Sequence, residues 1–175
     1  EQLVAVAGKA QVPFLIDPNT GSSLHESEAI VKYLYQEYGP KGAKIPPLGI
    51  KSSLNPTLLR GGKGMFANPG SAPRNPLELY SFESSPFARL VRETLCELEL
   101  PFLLHNVGKA PGKPEEWLPP KLRHKRGYTP ETKNRKLLAE RGGKVMIPYL
   151  VDPNTGAAMY ESADIQRYLR KTYGS

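Results

Sequence analysis

The residues of this chain that could do chemistry are short hydroxyls placed where helices begin. A Glu-Ser pair stands ahead of a helical apolar pattern twice, at Glu26-Ser27 and at Glu161-Ser162. A serine hydroxyl beside the free N–H groups of a helix start makes a site for an anion; it is also what any helix uses as an N-cap. A third serine, Ser85, precedes Pro86-Phe87-Ala88 and another helical stretch, with Ser84 one residue away as an alternative donor. Capping competes as its role too. The single cysteine, Cys96, excludes an intrachain disulfide. It falls on or near the apolar side of that helix, where a buried structural thiol is expected rather than a reactive one. His25, His105 and His124 share no metal-ligand spacing, so no metal is assigned.

Both Glu-Ser pairs belong to a stretch that occurs twice. Residues 12–39 and 147–174 align without a gap, and 14 of 28 positions are identical. An internal repeat organises everything around it. Each copy opens on an X-Pro bond, Val12-Pro13 and Ile147-Pro148, followed by a short apolar run that reads as a strand. Asp-Pro-Asn-Thr-Gly then makes a turn, because proline presets φ and Asn or Gly accept positive φ. A second short strand follows, Ser22–His25 or Ala157–Tyr160, so the pair is a hairpin. Ile30, Tyr33, Leu34 and Tyr38 recur at helical spacing, as do Ile165, Tyr168, Leu169 and Tyr173. Gly39 and Gly174 stand where a helix C-terminus favours glycine.

The elements around the repeats set the domain expectation. Residues 1–11 read as a helix end leading into the first hairpin, and copy one closes at Gly39. A hairpin and one helix bury too little to stand alone. Residues 1–39 therefore need a partner: they pack on the second copy, or they are the second half of a first domain whose front half is missing here. The chain begins with Glu rather than Met and shows no signal peptide, which reads as a processed or truncated product. Residues 40–76 hold 13 Pro or Gly, six Lys or Arg and no acid, which reads as a linker. Yet Ile45, Leu48, Ile50, Leu54, Leu58, Leu59, Met65 and Phe66 punctuate it, as in a strap laid on the protein's own surface or a docking strap for another protein. Residues 77–175 read as a complete domain. Leu77–Phe82 is a strand, Glu83–Ala88 a loop, and Arg89–Leu100 a helix with Leu90, Val91, Thr94, Leu95 and Leu98 facing the core. Phe102–Val107 is a strand, Gly108–Tyr128 an irregular basic stretch, and a helix starts near Thr129-Pro130 and runs to about Arg141. Trp117 is expected to pack within that basic stretch. With the second copy, the order is βαβαββα.

This order, with an X-Pro bond before the third strand, resembles the thioredoxin-like α/β fold, here as a tandem whose first copy is incomplete. The Glu-Ser before the last helix resembles the N-terminal domain of glutathione transferases. Ser85-Pro86-Phe87-Ala88 sits where glutaredoxins carry Cys-Pro-Phe/Tyr-Cys, and resembles the serine-type plant transferases. The stretch LYSFESSPFARLVRETLCELELPF is similar to a plant and algal plastid family of tandem transferase-like proteins. The resemblance implies that Pro13 and Pro148 are cis, and that the backbone of Val12 and Ile147 is turned toward a ligand's cysteinyl group. It implies that Glu161-Ser162, and in the first copy Glu26-Ser27, hold the γ-glutamyl carboxylate of glutathione. It implies that the Ser85 hydroxyl stabilises the glutathione thiolate as the catalytic group. A hydroxyl cannot enter a mixed disulfide, and Ala88 removes the resolving position, so thiol–disulfide exchange is not expected.

The net charge of +7 favours an acidic partner or surface. Residues 40–76, with the Lys- and Arg-rich stretch 109–126, are expected to dock a larger protein complex, with peripheral contact to an acidic membrane surface. The competing reading of the 109–126 charges is a solvated face. No aromatic interleaving supports nucleic acid. No apolar run approaches the length that spans a bilayer. Family resemblance implies a chloroplast location, in the stroma or on the stromal face of the thylakoid. A full transferase also needs an all-helical domain for its electrophile, which residues 40–76 do not replace. A non-redox binding or accessory module with a vestigial glutathione site is therefore the leading expectation, and a serine-type glutathione transferase-like enzyme the alternative.

Overall fold

The computed structural model describes residues 2–45 and 66–174. The chain divides into two compact units, 1–56 and 57–175. Most of the apolar strap expected over residues 40–76, Leu48 through Met65, lies outside the described residues.

The first unit contains α1 (Gln2–Ala7), β1 (Phe14–Asp17), β2 (Ser22–His25) and α2 (Ser27–Tyr38). Its hairpin pairs Phe14 with His25 through Asp17 with Ser22. The second unit runs β3 (Leu77–Ser81), α3 (Pro86–Glu97), β4 (Phe102–Asn106), a 3-10 turn (Pro114–Trp117), α4 (Pro120–Lys125), α5 (Lys133–Gly142), β5 (Tyr149–Asp152), β6 (Ala157–Tyr160) and α6 (Ser162–Tyr173). Its four-stranded sheet has the order β4-β3-β5-β6, with β3 parallel to β4 and antiparallel to β5. The second hairpin repeats the register of the first, from Tyr149 opposite Tyr160 to Asp152 opposite Ala157. Both expected cis bonds, Val12-Pro13 and Ile147-Pro148, are present.

The identical residues of the two copies build one device. In copy two, Tyr168 and Tyr173 each donate a phenolic hydrogen to Asp152 Oδ2 at 2.5 Å, and Asn154 N–H donates to Oδ1 at 2.8 Å. In copy one, Tyr33 donates to Asp17 Oδ2 at 2.6 Å, Tyr38 donates to the same oxygen, and Asn19 N–H reaches Oδ1 at 2.9 Å. Gly21 and Gly156 take φ of 71° and 76° to close the turns onto those aspartates. The carboxylate thus ties hairpin to helix, which explains why Asp, Asn, Gly and both tyrosines recur together.

β3 is the middle of the second unit because both of its faces are buried. Leu77 and Leu79 meet Val91, Leu95, Leu150, Ile165 and Leu169 beneath α3 and α6, while Tyr80 meets Val107, Leu138 and Tyr149 on the α5 side. Each such side chain is worth about 1.5–3 kcal/mol when fully withdrawn from water. Residues 68–71 lie along this unit, with Gly70 N–H donating to Leu98 O at 3.0 Å and Ser71 N–H to Tyr173 O at 2.8 Å.

Several expectations are corrected. α3 begins at Pro86 rather than Arg89, because Ser85 caps it: its Oγ accepts the Ala88 N–H at 3.3 Å. Leu90 is 38% exposed and Cys96 is exposed, since the buried stripe follows Ala88, Val91, Thr94, Leu95 and Leu98. α5 begins at Lys133, with Thr132 rather than Thr129 in the cap position. Residues 108–128 contain two short helical turns, not irregular chain alone. Gly39 and Gly174 do not use a left-handed φ (they have −74° and −66°); a Cβ there would stand 2.3 and 2.4 Å from the Tyr35 and Arg170 carbonyl oxygens. The second unit thereby carries the βαβαββα order of a thioredoxin-like fold, with α4 as an added short turn.

Candidate glutathione site

One groove of about 910 Å³ runs across the second unit. Two helix N-termini open onto it. α3 contributes Ser84, Ser85, Pro86 and Phe87; α6 contributes Glu161 and Ser162; the loop before β5 contributes Ile147 and Pro148. The groove therefore gathers all five residues picked out from the sequence for 77–175: Ser85, Ile147, Pro148, Glu161 and Ser162. Ser85 is buried, and its Oγ accepts the Ala88 N–H; among the described residues its own hydrogen goes to no protein atom. That leaves the hydroxyl able to donate into the groove while it caps the helix.

Ser162 is not an N-cap. It is the first residue of α6, and Glu161 holds the cap position without a side-chain cap bond. Glu161 has φ 68° and its repeat counterpart Glu26 has φ 70°, a region that non-glycine residues occupy at a cost of about 1–3 kcal/mol. Such backbone is kept where the surroundings impose it, and it marks functional sites more than plain turns. Its effect here is local. The chain turns sharply into the helix, leaving the Ser162 hydroxyl and the first-turn N–H groups at the groove wall.

The far wall comes from the stretch 108–119, from Arg123, whose charge is expected on a solvated face or a docking surface, and from Arg135. Glu116 is 2% exposed and ion-pairs with Arg135 at 2.5 Å. It also accepts the Tyr128 O–H at 2.6 Å, and Arg123 stands 3.8 Å away. Arg135 Nε donates to the Val107 and Gly108 carbonyls at 3.0 and 3.1 Å, and Arg123 donates to Val145 O at 3.0 Å. The loop is thus nailed down from inside, and Arg123 is no solvated cation. The sequence held one hint of this: acids at Glu115 and Glu116 inside an otherwise basic stretch. Trp117, expected to pack in the loop, is 76% exposed. Burial, then repulsion from Arg135 and Arg123, holds the Lys109 ammonium below the usual lysine range.

The first-copy residues are arranged differently. Val12, Pro13, Glu26 and Ser27 are all exposed, and none lines this groove. Gln11 Nε2 donates to Glu26 Oε1. Among the described residues, no group of three His, Cys, Asp or Glu side chains is placed to hold a metal.

The profile of the family "Glutathione S-transferase, N-terminal domain" matches residues 1–42 and 79–175. Among solved structures, a glutathione transferase from Bombyx mori, described as a complex with GTT, is 27% identical over 59% of this chain, with a TM-score of 0.39. The chain spans 39% of that protein's length. No curated protein matches. Given the extent of the profile match, the chain belongs to the glutathione S-transferase N-terminal domain family.

Proposed function

We propose that the second unit binds glutathione in this groove and acts as a serine-type, glutathione transferase-like module without thiol–disulfide exchange. The observation that carries the reading is the convergence of Ser85, Ile147, Pro148, Glu161 and Ser162 on one groove in a chain of this family. Ser162 and the first-turn N–H groups of α6 receive the γ-glutamyl carboxylate, where hydroxyl, amides and helix dipole act together. The backbone at Ile147 lies along the cysteinyl portion. The Ser85 hydroxyl donates to the sulfur and favours its thiolate form. No thiol lines the groove, so no residue there could form a mixed disulfide.

Isothermal titration of glutathione into the intact chain tests this. We expect saturable binding that Ser162→Ala weakens about tenfold, the worth of one hydrogen bond to a charged group. Ser85→Ala is expected to raise the pKa of the bound thiol by about one unit or more while leaving affinity nearly unchanged. Absence of saturable binding would remove the proposal.

The finer assignment, to the plant and algal plastid family of tandem transferase-like proteins, rests on the LYSFESSPFARLVRETLCELELPF stretch and the internal repeat. It places the protein in the stroma or on the stromal face of the thylakoid. Fractionation of chloroplasts with an antibody against residues 77–174 tests it; recovery outside the plastid would overturn it.

A further inference from the structure

The basic stretch 109–126 carries a loop with its root inside the protein. Glu116 and Arg123 are 2% and 8% exposed, and Arg123 Nη1 stands 3.8 Å from Glu116 Oε2. The chain between them is therefore closed and pinned at its base. It reads Trp117-Leu118-Pro119-Pro120-Lys121-Leu122. The side chains next to the two buried charges point the other way: Trp117 is 76% exposed and Leu122 45%. Single exposed apolar residues are ordinary. A short loop that buries its acid and its arginine while exposing its tryptophan and leucine inverts the usual sorting. Trp117 also lines the groove, whereas Leu122 does not.

Cations stand beside this loop. Lys109 Nζ lies 3.4 Å from the Trp117 ring centroid, which puts a charge at the face of the indole. Leu122, Lys125 and Arg126 are exposed, and at i, i+3 and i+4 they share one face of α4. Among the described residues Lys109, Lys125 and Arg126 have no carboxylate partner, whereas Lys113 is taken by Glu131 at 2.7 Å. Of the two acids in the stretch, Glu116 is buried on Arg135, which leaves Glu115 against three cations. A soluble polyanion satisfies such charges but not the indole and the leucine. A bilayer interface takes both: tryptophan settles at the headgroup level, and neighbouring Lys and Arg reach the phosphates. The pinned base lowers the ordering cost of that contact. We propose that the loop 117–122 seats in the interface of an anionic lipid bilayer, with Trp117 and Leu122 below the headgroups and Lys109, Lys125 and Arg126 on the lipid phosphates. This surface does not rest on the glutathione reading.

Trp117 is the chain's single tryptophan, so its emission reports the loop directly. With vesicles of phosphatidylcholine that carry phosphatidylglycerol as the minor lipid, the protein should co-sediment and its emission should shift to the blue. Phosphatidylcholine alone should bind roughly tenfold more weakly or less. Lys125→Gln and Arg126→Gln should each lower the affinity about fivefold, the worth of one cation near an anionic surface. Leu122→Ser should lower it about tenfold and leave a residue of binding that high salt abolishes. Wild type should keep part of its binding in high salt, because the apolar contact is unscreened. Urea unfolding that matches wild type checks that each variant is folded, as expected for exposed side chains. Ser162→Ala should weaken glutathione and leave vesicle binding unchanged. Absence of binding to the anionic vesicles, sedimentation without a blue shift, or folded variants that bind as wild type would overturn the proposal. Polyglutamate that binds as tightly as the vesicles would overturn it in favour of an acidic protein. If glutathione fails to bind but the vesicles still shift the emission, the glutathione reading falls and this surface stands.

Discussion

Tyr173 donates its phenolic hydrogen to Asp152 Oδ2 at 2.5 Å, tying the last turn of α6 to the end of β5. Burial raises the carboxyl's pKa, but the bonds from Tyr168, Tyr173 and Asn154 outweigh it and hold the group at about 2, against 3.8 for the free side chain. A folded pKa below the unfolded one stabilises above the unfolded pKa. The contribution is complete above about pH 5, and it is lost as pH falls through about 4 to 2. Chemical denaturation of wild type and Asp152→Asn across that range should show the variant less stable at neutral pH and much flatter in acid. Parallel curves would show that this carboxylate does not govern acid sensitivity.

The buried ion pair behind the groove makes a larger effect. Removing the carboxylate in Glu116→Ala leaves Arg135, only 2% exposed, without its counter-charge. Loss of one partner of such a pair costs about 3–5 kcal/mol. Urea unfolding should register that drop, whereas Glu115→Ala, on the exposed neighbour, should stay within about 0.5 kcal/mol of wild type.

Gly70 is a test of close approach. A Cβ there would lie 2.2 Å from the Tyr173 carbonyl oxygen, so Gly70→Ala must push residues 68–71 away from the end of α6. The expected cost is about 1–3 kcal/mol. The expected signature is faster proteolytic cleavage near Gly70 with unchanged glutathione titration. Equal cleavage rates would mean that the segment shifts without detaching.

Cys96 is exposed and lines no part of the groove. A thiol reagent should therefore modify the native protein to one equivalent. Cys96→Ser should abolish that labelling and leave glutathione binding untouched. Any dithiol reductase turnover that survived Cys96→Ser would contradict the serine chemistry assigned to Ser85.

Much of this was legible beforehand because it is local. The turn chemistry of Asp152-Pro153-Asn154-Thr155-Gly156, the period of Ile165 and Leu169, and the placement of Ser85 and Ser162 at helix starts are all written within a few residues. The far wall was not legible. Glu116, Tyr128 and Arg135 are up to 19 residues apart and meet only because α5 folds back, so nothing in their spacing announces the buried cluster. Cys96 and Leu90 differ from expectation for a finer reason: each lies one position from the buried Leu95 or Val91, and one position along a helix turns a side chain by about 100°.

The repeat carries one more consequence, visible in α2 and α6. Ile165, Leu169 and Tyr173 are 0%, 0% and 7% exposed, whereas Ile30, the matching Leu34 and Tyr38 are 9%, 39% and 56% exposed. Both helices keep the same aspartate–tyrosine tie, and α6 packs on β3 and α3 within its own unit. Heating should therefore not melt the chain in one step. The first hairpin and α2 should give way at lower temperature with a small heat uptake, and residues 77–174 should follow in a sharper, larger transition, because cooperativity scales with the apolar surface each segment withdraws from water.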